Sequence, residues 1–361
     1  MPSDDTTNAR KSEAIRIIRS DPASDRRGRW FDEIRLAHRA LPELNLNDVD
    51  PSIEFLGKRL SFPLLISSMT GGTATRLRTI NRRLAEAAEE TGVAFGVGSQ
   101  RVMFTHPSSR PSFEIRRWAP RTLVFANLGA VQLNNGFGLR HCREAIRAAG
   151  ADALSLHLNP LQEAVQPEGN TNFGGLADRI ADVATRLECP VILKEVGAGL
   201  SPADVGRMVR RGLRYFDIAG AGGTSWSRIE HHRTTPDDGE LGLVFQDWGW
   251  PTPMALRALR PYRRRAVFIA SGGVRHGVDM AKAMILGASL CGMALPFLEA
   301  ACRSREQVVR RILQIKREFT TALFLLGVGR AADLIGNESL LADDGRLPQP
   351  APNGRRRPCD D

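Results

Sequence analysis

From position 61 onward the chain repeats one pattern: a short continuous apolar run rich in Val, Ile, Leu and Phe, then a segment whose apolar residues recur at helical spacing. The runs are 62–68, 93–99, 122–127, 153–159, 191–196, 215–220, 266–271 and 290–295. A strand that is apolar at every position is covered on both faces, which is the condition of a parallel sheet surrounded by helices. Between the runs the spacing predicts helices over 75–91, 139–149, 176–187, 202–211, 253–260 and 278–286, with a further one over 303–326. Eight strand–helix units predict an α/β chain with a closed (β/α)8 TIM barrel over residues 61–330. Polar residues at nearly every strand end favour closure over an open, doubly wound sheet.

The flanks read differently. Residues 1–60 form an N-terminal extension in which 1–9 are polar and expected to be disordered, 10–19 form a basic helix, and 41–60 alternate as a short β-hairpin that would cover the bottom of the barrel. Residues 331–361 read as a partly disordered C-terminal tail, rich in Pro, Arg and Gly over 347–361.

Active sites of this fold are built at the carboxyl ends of the strands, so the residues placed there matter most. The fourth strand runs into LHLNPLQEAVQPEGNTNF, 156–173, which gathers His157, Asn159, Gln162, Glu163 and Glu168; Pro160 and Pro167 argue against a regular helix there. The fifth strand ends in LKEVGAG, with Lys194 at an inward-pointing position where an unpaired charge would be costly. Gly-rich turns follow the sixth, seventh and eighth strands as AGAGGTSW, ASGGVR and GMALPF. Glycines let backbone N–H groups approach phosphate oxygens, and a helix N-terminus adds a favourable dipole, with Arg275 at hand to add charge. A phosphate seat there, a lysine on strand five, and Ser99 and Asn127 on the other strands together describe a site for FMN, whose anionic reduced ring a cation such as Lys194 would stabilise.

Charge and cysteines narrow the classes. Fifty Lys and Arg against forty Asp and Glu give a formal charge of +10, which suits a polyanion or a small anionic substrate. No nucleic-acid recognition motif accompanies the excess, and Arg26, Arg27, Arg29, 263–265 and 355–357 read as solvated arginines in turns and ends. Cys142, Cys189, Cys291, Cys302 and Cys359 are scattered, without disulfide or zinc-site spacing. No apolar run is long enough to span a bilayer and 1–10 lack a signal-peptide core, so a cytoplasmic protein without nucleic-acid or membrane partners is expected.

The motifs MTGG, GSQR, HLNPLQEAVQPEGNTNF, LKEVGAGLS, AGAGGTSW, WGWPT and SGGVRHG stand in the order found in type 2 isopentenyl-diphosphate isomerases, and the chain resembles that family over roughly residues 10–330. The resemblance implies a redox-neutral isomerase of isoprenoid biosynthesis that interconverts isopentenyl and dimethylallyl diphosphate, using reduced FMN, Mg2+ and NADPH as reductant. It places Ser68, Met69, Thr70, Ser99, Asn127, Lys194, Thr224, Gly273, Val274, Arg275, Ala294 and Leu295 on the flavin. Arg10, Lys11, Ser99, Gln100, Arg101 and Gln162 would bind the diphosphate substrate, His157, Asn159, Gln162 and Glu163 would form the catalytic group, and Glu163 would hold the metal. The family's Arg-Lys pair is followed three residues later by His, a position held here by Ala14. A homo-oligomer, tetramer or octamer, is also implied.

Two other readings compete. An FMN-dependent hydroxyacid oxidoreductase on the same barrel needs a His base paired with an Arg, for which His276 beside Arg275 is the candidate. A non-enzymatic basic binding protein would have no use for Lys194, Glu163 and Gly-rich turns at strand ends.

Overall fold

The computed structural model describes residues 4–26, 28, 30–69, 71–233 and 239–342, with backbone alone for 4–10. Among these residues there are ten strands: β1 Ile53–Phe55, β2 Lys58–Leu60, β3 Leu64–Ile66, β4 Ala94–Gly96, β5 Val124–Gly129, β6 Ala153–His157, β7 Val191–Lys194, β8 Tyr215–Asp217, β9 Val267–Ala270 and β10 Ala288–Met293. β3 to β10 pair in parallel, each with its sequence neighbour, and β10 closes on β3. The eight apolar runs are thus the eight staves of a closed barrel, as the sequence predicts.

Alternation along the strands sorts residues into two cores. Leu64, Ile66, Phe95, Val124, Leu154, Leu156, Leu193, Phe216 and Phe268 face the surrounding helices. Leu65, Ala94, Phe125, Ala153, Ile192 and Ile269 fill the barrel's interior from its lower end. Stepping two residues along each strand from that lower layer reaches Ser67, Gly96, Asn127, Ser155, Lys194, Asp217 and Ser271. The upper interior layer is therefore polar or bare, and it lies where the site must be.

A β1–β2 hairpin closes the bottom, confined to 53–60 of the expected 41–60, with Leu56 and Gly57 at its tip both in the left-handed region, φ 49° and 73°. Phe55 enters the barrel floor, its ring centroid 6.4 Å from Phe125 and 6.2 Å from Tyr215. The predicted helices are present within two residues at most ends; Thr75–Thr91 and Leu139–Ala149 coincide with prediction. Arg305–Leu325 packs between Thr75–Thr91 and Gly277–Ile285 and completes the outer ring.

Two expectations change. The N-terminal helix runs over Asp4–Ser20, so 4–9 continue the predicted helix rather than standing apart from it. Pro160 does not prevent a helix: Pro160–Val165 is one, with the proline in its first turn, where a missing N–H costs nothing.

Candidate active site

A cavity of about 490 Å³ opens at the carboxyl ends of the barrel strands. Its charged lining, among the described residues, is Lys11, Arg101, Lys194, Arg275 and Arg311 against Asp25 and Glu163. Such an excess of cations favours anionic ligands.

One wall is backbone and glycine. The loops after β8 and β9 lie so close that a Cβ on Gly272, φ 87°, would fall 2.0 Å from the Gly220 carbonyl oxygen, and one on Gly273, φ 81°, would fall 2.9 Å from that of Gly222. Only glycine fits both the conformation and the approach. Gly273, Val274, Arg275 and Thr224 line the cavity here, facing Ala294 and Leu295 after β10. The Arg275 guanidinium donates to the carbonyls of Gly273 (2.8 Å) and Gly222 (2.6 Å), so it fixes the loop as well as charging it.

The N-terminal extension stitches these loops together. Arg26, which is 6% exposed, donates to the carbonyls of Gln246 (2.6 Å) and Gly197, and its own N–H donates to Gly223 O. Burial pushes its ionisation below the ordinary guanidinium range, against the pull of Asp247 and Glu195. Arg26 is therefore a buried clamp, not the solvated arginine expected; Arg27, Arg29 and 355–357 lie outside the described residues. Arg263 is likewise engaged, by Glu338 at 3.0 Å and the Leu286 carbonyl. Behind the β7 end, Glu195 accepts four successive backbone N–H groups, Val196 to Gly199, at 2.5 to 3.0 Å. Burial raises its pKa while those donors oppose the rise.

Lys194 stands on the barrel floor of the cavity, as its strand position predicts. Its Nζ lies 2.6 Å from Asp217 Oδ2 on the neighbouring strand, while Ser271 Oγ donates to Asp217 Oδ1 at 2.5 Å. The lysine is 8% exposed and the aspartate 2%, so the charge is paired and yet borders the cavity.

The opposite wall carries the chemistry-bearing side chains. Asn127 donates to Ser68 Oγ (2.8 Å), and its Oδ1 lies 2.7 Å from His157 Nδ1. The short helix Pro160–Val165 sets Gln162 and Glu163 side by side, both buried. Asn159 donates to Glu163 Oε1 (2.8 Å) and Gln162 Oε1 (3.2 Å), and the Asn170 N–H donates to Glu163 Oε2 at 2.6 Å. Gln162 Nε2 in turn donates to Glu230 Oε1 at 2.7 Å. Asn159 Oδ1 and Ser67 Oγ are buried on the cavity side without a hydrogen-bond partner.

The N-terminal helix covers the mouth, with Lys11, Ala14, Ile15 and Ile18 along one face. Lys11 Nζ donates to Ser99 O (2.8 Å) and lies 5.4 Å above the Phe113 ring.

Of the residues singled out in the sequence, Ser68, Met69, Ser99, Asn127, Lys194, Thr224, Gly273, Val274, Arg275, Ala294, Leu295, Lys11, Arg101, His157, Asn159, Gln162 and Glu163 all border this one cavity. Gln100 does not: its amide turns into the barrel wall, accepting from Asn127 N and donating to Ala145 O. Thr70 and the Arg10 side chain lie outside the described residues. Sequence reasoning missed Asp217, Ser271, Glu230, Trp226 and Arg311. Asp217 was within reach of it, since the two-residue strand period puts an acid beside Lys194; nothing local marks Glu230.

The pattern of the FMN-dependent dehydrogenase family matches residues 162–342. Proteins named isopentenyl-diphosphate delta-isomerase are similar over nearly the whole length. That of Paracoccus zeaxanthinifaciens is 56% identical over 92% of this chain and 96% of its own. For Hydrogenovibrio crunogenus the figures are 50%, 94% and 99%, and for Methanosarcina mazei 42%, 91% and 90%. Among solved structures, a flavocytochrome b2 variant with sulfite bound superposes with a TM-score of 0.65 at 19% identity, over 90% of this chain and 80% of its own. A mandelate oxidase variant with a monooxide FMN adduct gives 0.60 at 17%, over 85% and 88%. At that identity the two structures speak for the barrel alone.

Proposed function

Since the chain belongs to the isopentenyl-diphosphate delta-isomerase family, we propose that its cavity seats reduced FMN against isopentenyl diphosphate and moves the double bond to give dimethylallyl diphosphate. The observation that carries this is the meeting of two walls in one cavity: a glycine and arginine cradle beside the paired Lys194, and facing it the Gln162–Glu163 turn. The oxidoreductase alternative gives way, because the relatives at 42 to 56% identity are named isomerases. His276 also has another task, accepting the Asp279 N–H as a helix cap at 3.2 Å.

The residues present fit FMN. The close-packed Gly272–Gly273 turn brings backbone to the cavity wall, and Ser67 Oγ offers an unused polar atom. Gly273, Val274, Arg275 and Thr224 would hold the phosphate, Ser68, Met69, Ser99 and Asn127 the ring system, Ala294 and Leu295 its edge, and Lys194 the anionic side of the reduced ring. When bound, the reduced flavin supplies an electron-rich ring beside the carbons where positive charge develops, and a nitrogen able to exchange a proton.

The residues of this chain do the rest. Moving the double bond requires a proton on the terminal carbon and loss of one from the carbon next to the diphosphate arm. Glutamine is no base, but Gln162 is held by Asn159 so that its amide N–H meets Glu230, which makes Glu230 the nearest titratable group behind it. Gln162 thus positions the reacting end of the substrate and links it by a hydrogen bond to Glu230. Lys11 and Arg101 would meet the diphosphate at the mouth. Glu163 with the unpaired Asn159 Oδ1 offers oxygen ligands to Mg2+, an ion that keeps most of its water and takes its remaining ligands from substrate phosphate. NADPH would serve only to reduce the flavin, and the active species would be a homo-oligomer.

The test is to purify the protein, record its visible spectrum, and assay isomerisation anaerobically, omitting FMN, Mg2+ and NADPH in turn. A flavin spectrum with conversion that fails without reduced FMN supports the reading; bound flavin with no conversion of isopentenyl diphosphate refutes the substrate.

A further inference from the structure

We propose that Arg233 is a positioning residue that latches the N-terminal helix shut over the cavity and ties that closure to the Gln162–Glu230 pair. The inference rests on the isomerase reading for its kinetic consequence, but not for its structural one.

Arg233 is the common partner of three carboxylates on three separate segments. Its NH1 meets Glu230 Oε2, its NH2 lies 2.7 Å from Glu168 Oε1, and its Nε lies 3.5 Å from Glu13 Oε2. Glu13 belongs to the helix that roofs the cavity, Glu168 to the loop beyond Glu163, and Glu230 to the helix Trp226–His231 behind Gln162. A guanidinium suits this place because its planar fork presents several donors at once, which an ammonium on a flexible stem does not. The Arg233 side chain is 11% exposed and that of Glu13 37%, so solvent screens the two inner pairs less than the Glu13 pair, which is an ion pair without a hydrogen bond.

The roof helix needs such a tie. Of its packed apolar residues Ile15 joins the main core and Ile18 packs against it, while Ala14 and Ile17 meet the helix beside Arg233 only in a small cluster with Ile229. The helix carries Lys11 over the mouth, so its seating decides where that charge meets a diphosphate. Its other polar ties include Arg19 to Glu299 at 3.1 Å, an exposed pair of small worth. Glu230 needs Arg233 for a different reason: at 1% exposure it is a buried carboxylate whose charge this guanidinium offsets. One side chain therefore sets both the roof and the acid behind Gln162.

Glu13→Gln cuts the roof connection together with an exposed pair to Arg16 on the same helix (3.5 Å), which Arg16→Gln removes alone as the control; Arg233→Gln cuts all three of its pairs, and Arg233→Lys keeps the charge without the fork. Hydrogen exchange of residues 11–20, followed by mass spectrometry on the FMN-loaded enzyme, reads the latch directly. Exchange there is expected to quicken about fivefold in Glu13→Gln, the worth of one partly screened pair, and more in Arg233→Gln. In the isomerase assay Glu13→Gln raises KM with kcat little changed, Arg233→Gln raises KM and lowers kcat, and Arg233→Lys recovers part of both. Unchanged exchange and unchanged KM in Glu13→Gln overturn the latch, even if Arg233→Gln fails to fold. Should the wild-type enzyme not isomerise this substrate at all, the exchange result still decides the latch by itself.

Discussion

Replacing Lys194 by Met separates what this lysine does for the fold from what it does for the cofactor. Asp217, 2% exposed, would keep only Ser271 of its two partners. Removing one member of a buried ion pair costs about 3–5 kcal/mol. Lys194→Met should therefore lower the unfolding free energy of the flavin-free protein by about 3–4 kcal/mol at pH 7, read from urea denaturation. The double variant Lys194→Met with Asp217→Asn removes both charges and should return to within about 1 kcal/mol of the parent. Affinity for reduced FMN should stay low in both, by about 10- to 100-fold, because neither returns the cation. If the double variant is as unstable as the single, the pair is not the energetic unit inferred here. If reduced FMN binds the stable double variant as tightly as the parent, Lys194 has no part in the flavin site.

Other outcomes follow from the same geometry. Phe55→Ala empties the barrel floor and should cost about 3 kcal/mol in denaturant unfolding, with turnover of the folded enzyme unchanged because the floor lies below the polar layer. Asp21 is held at a pKa of about 2 by the Arg228 guanidinium, with His232 and the Ala23 N–H adding to it against burial. Its folded value is below the ordinary 3.8, so its stabilisation is present above that pH and is lost as pH falls toward 2. Asp21→Asn should accordingly lower stability by about 1 kcal/mol at pH 6 and make little difference at pH 2, in melts at matched ionic strength. Glu163→Gln should leave the flavin spectrum intact while raising the Mg2+ concentration needed for half-maximal turnover; a shift in FMN affinity instead would place Glu163 on the wrong ligand.

The barrel was legible because strands buried on both faces read as unbroken apolar runs, and their polar ends lined up at one mouth. Lys194 stood out because a lysine ending such a run needs a reason. Contacts between distant segments did not stand out: Glu230 reaches Gln162 across 68 positions of sequence, and Arg26 reaches Gln246 across 220. Arg26 resembled every other arginine in a polar turn, and only the packing of the extension onto the β7 and β8 loops buries it. Pro160 was misread because a proline's effect depends on whether it sits in a helix or at its first turn, and the sequence does not say which. Gln100 was placed on the substrate through its motif, while the fold turns its side chain into the wall.

The most direct measurement of the central claim is isomerisation of isopentenyl diphosphate in deuterium oxide under anaerobic conditions, with the flavin reduced beforehand and both product and reductant followed. The expected result is dimethylallyl diphosphate carrying solvent deuterium, formed with catalytic turnover and with no reductant consumed beyond the initial reduction of the flavin. Reductant consumed in step with product, or an unchanged alkene beside an oxidised flavin that a 2-hydroxyacid reduces, would contradict the isomerase reading.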